Sequence, residues 1–190
     1  MTYFITPQTP ASDAALLAIA HLPTRSLPIV VAPGFWHTLS DSDFMRVAFL
    51  LAKKSYSEGG CPIGGVVIDN QSKRIVGKGH NTLMQENDPY NHGETAAIRD
   101  AGRLDFSQTT LFTTLSPCDI CATLVYMRQL PRVVVGDISN ASGNESMLRQ
   151  KGVQVDILES DAAISLYKKY REEKPELDLE DWKGRAAVRK

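Results

Sequence analysis

The spacing of apolar positions changes several times along the chain, and each change marks an element. In SDAALLAIAHL, residues 12–22, an apolar stretch follows Ser12 and stops before Pro23, which predicts a short helix capped by Ser12. The run LPIVVAPG at 27–34 is closed by Pro-Gly and reads as extended. In DSDFMRVAFLLAKKSYSEGG, residues 41–60, Phe44, Val47, Ala48 and Leu51 recur at helical spacing. Asp41 or Ser42 caps that helix, and Gly59 and Gly60 end it. IGGVVID (63–69) and RIVGKGH (74–80) are β-rich runs on either side of the polar turn NQSK, which predicts a hairpin. NTLMQENDPYN, residues 81–91, reads as a polar loop.

From His92 onward, helical and strand patterns alternate. HGETAAIRDAG reads as a helix ended by Gly102, TTLFTTL (109–115) as a strand, and CDICATLVYMRQL (118–130) as a helix. RVVVGD is a strand, 145–150 a short helix, and VQVDIL a strand. DAAISLYKKYREE closes as a helix with Ile164, Tyr167 and Lys168 on one side. This alternation predicts an α/β layered sheet with helices on both faces. The tail, KPELDLEDWKGRAAVRK, is acidic and then basic.

Composition narrows the functional classes. A chain of 190 residues is long enough for one domain with a sizeable core. With 21 Lys and Arg against 22 Asp and Glu, the net charge is −1, so no overall basic field draws in nucleic acid or anionic membrane. No apolar run approaches the ~20 residues that span a bilayer. The start, MTYFITPQTP, lacks the basic residues and apolar stretch of a secretory signal. A cytoplasmic protein is the expectation. Three cysteines, Cys61, Cys118 and Cys121, are too few for a disulfide framework.

The chemistry concentrates in His92-Gly93-Glu94 and Pro117-Cys118-Asp119-Ile120-Cys121. Cys118 and Cys121 stand at i and i+3 of a helix start, so both sulfurs reach one point. The helix dipole there favours the thiolate form that binds metal. His92 starts another helix. If the two starts meet, one His and two Cys supply three zinc ligands, and the open fourth position is the mark of a catalytic zinc. Glu94 diverges from His92 on the helix and is placed to move protons. H-x-E followed by P-C-x-x-C is the general signature of zinc deaminases. Each residue alone has a plainer reading: a cap, a first-turn acid, a small buried hydrophobe. A structural zinc would need a fourth ligand, for which Cys61, His80 and His21 are the candidates.

These motifs resemble the cytidine deaminase-like superfamily, and within it the fungal-type cytosine deaminases. The likeness runs from about Asp43 to Trp182 and includes EGGCPIGG, GKGHN, HGE, AGRL, TTLFTTLSPCDIC, PRVVVGD and EKPELDLED. It implies a three-layer α/β/α fold with a five-stranded mixed sheet, a homodimer, Zn2+, and hydrolytic deamination of a small nucleobase, cytosine first. Residues 1–40 lie outside the likeness and are expected to form an N-terminal extension packed on the domain. The deaminase domain is 41–190, with a C-terminal lid about 175–183. His92, Cys118 and Cys121 would hold the zinc, and Glu94 would carry protons from water to the ring nitrogen and the leaving amine. Asn81, Ile63, Gly64, Ser116 and Asp181 match the family's substrate contacts. Two positions depart from the pattern of aromatics covering the pyrimidine: Ala141 in the loop DISNASGNE, and Asp178-Leu179 in the lid. Fewer rings mean less stacking area and a wider pocket, with Trp182 or Trp36 as candidates to fill it. The alternatives are therefore guanine, isocytosine, a creatinine-like ring or a nucleoside. Less favoured are a tRNA adenosine deaminase and a non-catalytic zinc-binding module.

Overall fold

Successive residues of a strand face opposite sides of a sheet, and here that alternation builds two cores. The computed structural model describes residues 3–7 and 11–178. The strands are β1 (Gly64–Asp69), β2 (Ile75–His80), β3 (Thr109–Thr113), β4 (Arg132–Val135) and β5 (Gln154–Ile157), in the spatial order β2-β1-β3-β4-β5. β1 is antiparallel to both β2 and β3, whereas β3, β4 and β5 run parallel, so the sheet is mixed. Val66, Ile68, Phe112 and Val134 join one apolar core; Val67, Leu111, Val133, Val135 and Val155 join another.

The helices of the described residues are α1 (Asp13–His21), α2 (Leu27–Val30), α3 (Pro33–Trp36), α4 (Asp41–Ser57), α5 (Leu83–Glu86), α6 (Gly93–Ala101), α7 (Asp119–Met127), α8 (Glu145–Gln150) and α9 (Asp161–Glu173). The first core is closed by α1, α3 and α4, and the second by α6, α7 and α8. The result is the expected three-layer α/β/α arrangement.

Four expectations are corrected. The run 27–34 is not extended: Pro28 and Pro33 each sit in the first turn of a short helix, α2 and α3, where a missing N–H costs nothing. Only a single bridge, Ile5 to Val31, is strand-like there. The cap of α4 is Ser40, which forms a reciprocal capping box with Asp43. The loop 81–91 contains α5, one turn long. On α9 the buried side is Ala163, Tyr167 and Tyr170; Lys168 is exposed.

Residues 11–39 contribute Leu16, Ile19, Leu27, Val31, Phe35 and Trp36 to the first core, all essentially inaccessible. Each such side chain is worth roughly 1.5–3 kcal/mol of burial, so this segment is part of the core it covers. It is also pinned to β2 and α6: the Lys78 ammonium donates to the Ala20 carbonyl at 2.5 Å, and the Thr24 hydroxyl donates to Asp100 of α6 at 2.5 Å. Trp36 lies in this core, not among the residues beside the metal ligands described below.

Two adjacent glycines decide how the helices seat. A Cβ on Gly64 would stand 2.0 Å from the Ala48 carbonyl oxygen of α4, and one on Gly65 would stand 2.5 Å from the Gly93 carbonyl oxygen of α6. The start of β1 is thus gripped by helix backbone on both faces. Any side chain at Gly65 must lift α6, whose first residue follows His92. Gly65→Ala is expected to cost about 1–3 kcal/mol in denaturant unfolding, as overpacking does. It is also expected to lower bound metal. Gly34→Ala, where the nearest atom to a new Cβ is Pro7 Cγ at 3.4 Å, is expected to cause no loss and serves as the control.

Candidate metal centre and active site

Three points of the chain converge at one end of the sheet. β1 begins there with Gly64, β3 ends there and leads through the turn 114–118 into α7, and α6 starts there at Gly93. It is also where the sheet changes from antiparallel to parallel pairing, between β1–β3 and β3–β4. Crevices at such a change, beyond strand carboxyl ends, are where α/β sheets place ligands.

His92 is the N-cap of α6 and Cys118 the N-cap of α7; neither side chain caps its own helix. Both are turned to the shared space instead. His92 Nδ1 lies 3.4 Å from Cys118 Sγ and 3.6 Å from Cys121 Sγ. All three ligand atoms lie within 4.8 Å of one another, and they are the one such group among the described residues. Tetrahedral zinc, with sulfur at about 2.3 Å and nitrogen at about 2.0–2.1 Å, requires sulfur and nitrogen about 3.6 Å apart. Both nitrogen–sulfur distances match that requirement. The Thr95 hydroxyl donates to the carbonyls of Tyr90 at 2.5 Å and His92 at 3.0 Å, which holds the backbone that aims the imidazole.

The electrostatics also call for a cation. Glu94 is 2% exposed, and burial together with the Cys118 thiolate pushes its carboxyl up to about 7. The two thiols act as a pair. The Cys121 thiol donates to Cys118, which with His92 lowers the Cys118 thiol to about 4, while Cys121 is driven well above the usual thiol range. Two cysteines and a carboxylate crowded into one buried space resist full ionisation. A bound dication reverses that by favouring both thiolates and the carboxylate. Both helix N-termini add positive potential at the same point.

Cys61, His80 and His21 do not complete a four-ligand site. Cys61 is buried in an apolar cluster with Ile63, Leu115, Tyr167 and Tyr170. His80 Nε2 faces Glu58 at 3.1 Å and Lys54 at 3.4 Å, and His21 Nδ1 is 2.8 Å from the Leu17 carbonyl.

The other sequence candidates are placed as follows. Asn81 is fully buried; its backbone N–H donates to the Ile63 carbonyl at 2.8 Å, and its Oδ1 accepts the Leu83 N–H at 3.1 Å. Ile63 and Gly64 form the start of β1, with the Ile63 carbonyl oxygen 2.9 Å from where a Cβ on Gly93 would be. Ser116 is buried, and its hydroxyl donates to Glu145. Asp181, with Leu179, Trp182 and most of the lid, lies outside the described residues. Asp178 is 8% exposed and accepts from the Tyr167 hydroxyl at 2.5 Å and from Arg171 Nε at 3.1 Å. Where an aromatic was expected there is a carboxylate tied to α9. Ala141 packs against the cluster holding Tyr167 and Tyr170.

Sequence reading missed the residues that hold these ligands. Asp137, fully buried, accepts four hydrogen bonds from Ser139 and Asn140 and so folds the loop after β4. The Asp-x-Ser-Asn spacing is a turn signal that was available. Asn144 and Glu145, at the start of α8, bond the turn that carries Cys118.

Comparison with known proteins agrees with this geometry. Residues 39–137 match the family model of the cytidine and deoxycytidylate deaminase zinc-binding region. A cytosine deaminase of Candida albicans is 40% identical over 148 residues, 76% of this chain and 95% of the relative. A tRNA-specific adenosine deaminase of Streptococcus pyogenes is 32% identical over 111 residues, 56% of this chain and 69% of the relative. Among solved structures, a guanine deaminase from Nitrosomonas europaea superposes with a TM-score of 0.63 at 19% identity, covering 70% of this chain and 85% of that one, which is a likeness of fold. With its HxE and PCxxC segments inside the matched region and a group of side chains from them, His92, Cys118 and Cys121, that could hold a metal ion, the chain belongs to the zinc-binding cytidine and deoxycytidylate deaminase family of hydrolytic deaminases.

Proposed function

We propose that the protein is a zinc-dependent hydrolytic deaminase of a small free base, with cytosine, converted to uracil and ammonia, as the first substrate. The observation that carries this reading is the buried Glu94 carboxyl beside a set of three donor side chains, the number that catalytic zinc sites use. The 40% identity to a cytosine deaminase over most of the chain supports the choice of base.

In this reading His92, Cys118 and Cys121 hold the zinc, which supplies a Lewis acid that lowers the pKa of water towards neutrality. Glu94 does the proton work. Its carboxyl takes a proton from water, passes it to the ring nitrogen, and delivers a second to the departing amine. Burial favours the protonated carboxyl between these transfers. Asn81 has its amide orientation fixed by the Leu83 N–H, and its NH2 group serves as donor to the ring. Ile63 and Gly64 border the base, Ser116 and the Cys118 N–H meet its reacting edge, and Asp181 contacts the leaving amine.

A second reading, another aminated heterocycle such as guanine, is favoured by one observation. Asp178 is engaged by Tyr167 and Arg171, and Ala141 is small, so neither supplies a ring to clamp a pyrimidine. A tRNA substrate ranks lower because a net charge of −1 offers little to a polyanion. Ile120 and Met127 of α7 are 44% and 66% exposed and, with Leu124 between them, form one stripe at i, i+4, i+7. That stripe is the surface for a second copy in the proposed homodimer. Cytosine as substrate would place the enzyme in pyrimidine salvage, and a cytoplasmic location goes with it. Among the described residues, no helix is long and apolar enough to cross a membrane.

Ammonia release from a panel of free bases and nucleosides tests the substrate. Release from cytosine and not cytidine is expected. Release from guanine alone would move the assignment to the second reading. Salt-sensitive RNA binding lost on deleting 183–190 would favour a tRNA substrate. Glu94→Gln is expected to keep zinc and fold while kcat falls by about 10²–10⁴; unchanged turnover would contradict the proton role. Cys121→Ala is expected to leave the protein with well under one zinc per chain by elemental analysis, and full occupancy would overturn the ligand assignment.

A further inference from the structure

The two helix starts that carry the ligands are held in different ways. α6 is fixed by backbone, since Gly65 and Gly93 let it lie directly on β1. The N-cap residue of α7, Cys118, makes no side-chain capping bond of the usual Ser, Thr, Asp or Asn kind, and its sulfur faces His92. Pro117 before it has no N–H to offer. The turn 116–119 is bonded from outside its own helix.

The groups that hold it come from the start of α8, more than twenty residues later in the chain. The buried Asn144 side chain donates from Nδ2 to the Pro117 carbonyl at 3.0 Å and to Asp119 Oδ1 at 3.1 Å. Glu145 Oε1 accepts the Ser116 hydroxyl, and its Oε2 accepts the Gly143 N–H at 3.1 Å. The Ser116 N–H donates to the Asp137 carbonyl at 3.0 Å. Residues 116, 117 and 119 are thus each bonded to one loop, and residue 118, the ligand, lies between them. That loop is itself tied down: Asp137 folds it, the Asn140 amide donates to the Ile164 carbonyl at 3.0 Å, and Arg171 donates to the Asn140 carbonyl.

We propose that Asn144 and Glu145 are positioning residues for the metal centre, and that they set zinc affinity by fixing the turn that aims Cys118 and Cys121 at His92. The proposal rests on the reading of those three residues as zinc ligands. Ligand geometry tolerates little error, and partners of this kind are typically worth 10–100-fold in metal affinity. Removing either one loosens the two sulfurs together, because both lie on the same helix start.

The test is zinc affinity, measured by competition with a chromophoric chelator on folded, metal-free protein, with thermal unfolding of the metal-free form alongside. Asn144→Ala and Glu145→Ala are each expected to weaken zinc about tenfold or more, with the metal-free melting temperature little changed. Glu145→Gln retains an oxygen that accepts the Ser116 hydroxyl and is expected to stay within a few-fold of the parent. The cobalt-substituted Asn144→Ala protein is expected to show an altered visible spectrum, reporting changed ligand geometry independently of turnover. Unchanged zinc affinity in Asn144→Ala and Glu145→Ala would overturn the proposal. So would a weakening matched by an equal loss of metal-free stability, with Glu145→Gln as weak as Glu145→Ala. Absence of zinc binding by the parent would instead show that the ligand reading itself has failed, and the proposal would fall with it.

Discussion

The close contact of backbone with backbone at the start of β1 is the constraint on which the rest depends. Gly64 lies under the Ala48 carbonyl and Gly65 under the Gly93 carbonyl, so α4 and α6 press on one strand from both sides with no side chain between. Because α6 is seated this closely, His92 and Glu94, at its N-cap and second residue, have fixed positions relative to the sheet. The mixed pairing then brings the end of β3 and the start of α7 to the same place. A zinc-sized gap between one imidazole nitrogen and two sulfurs follows from these packings.

Electrostatics give that gap its character. Burial raises the carboxyl of Glu94, and the two thiols compete for a single ionisation. Groups that cannot all ionise in a low-dielectric pocket become compatible when a dication joins them. The same burial that makes the site costly to build makes Glu94 able to hold and release a proton near neutral pH. Burial at the meeting point of two helix starts is thus the common cause of the crowded thiols and of the raised Glu94 carboxyl.

Much of this was legible in the sequence because the signals are local. The strands from Gly64 to Ile157 alternate cleanly between two faces, and the His-x-Glu and Cys-x-x-Cys spacings follow from helix geometry. What escaped was either set by tertiary packing or written in residues with several uses. The stretch 27–34 looks extended because of its prolines, yet prolines at first-turn positions start α2 and α3. Asp178 was a departure from a family pattern in sequence; only the fold shows it bonded to Tyr167 and Arg171. Asn144 and Glu145 lie far in sequence from the cysteines they support, a distance that no local pattern can bridge.

The most direct measurement is zinc-edge X-ray absorption of the loaded protein, with and without a base that binds but does not turn over. Two sulfurs at about 2.3 Å, one imidazole nitrogen at about 2.0–2.1 Å and one further light atom, whose shell changes when the base is added, are expected for three protein ligands and an open position. A third sulfur, from Cys61, or a shell of four protein ligands indifferent to the base, would mean a closed structural site and would contradict a catalytic role for this centre.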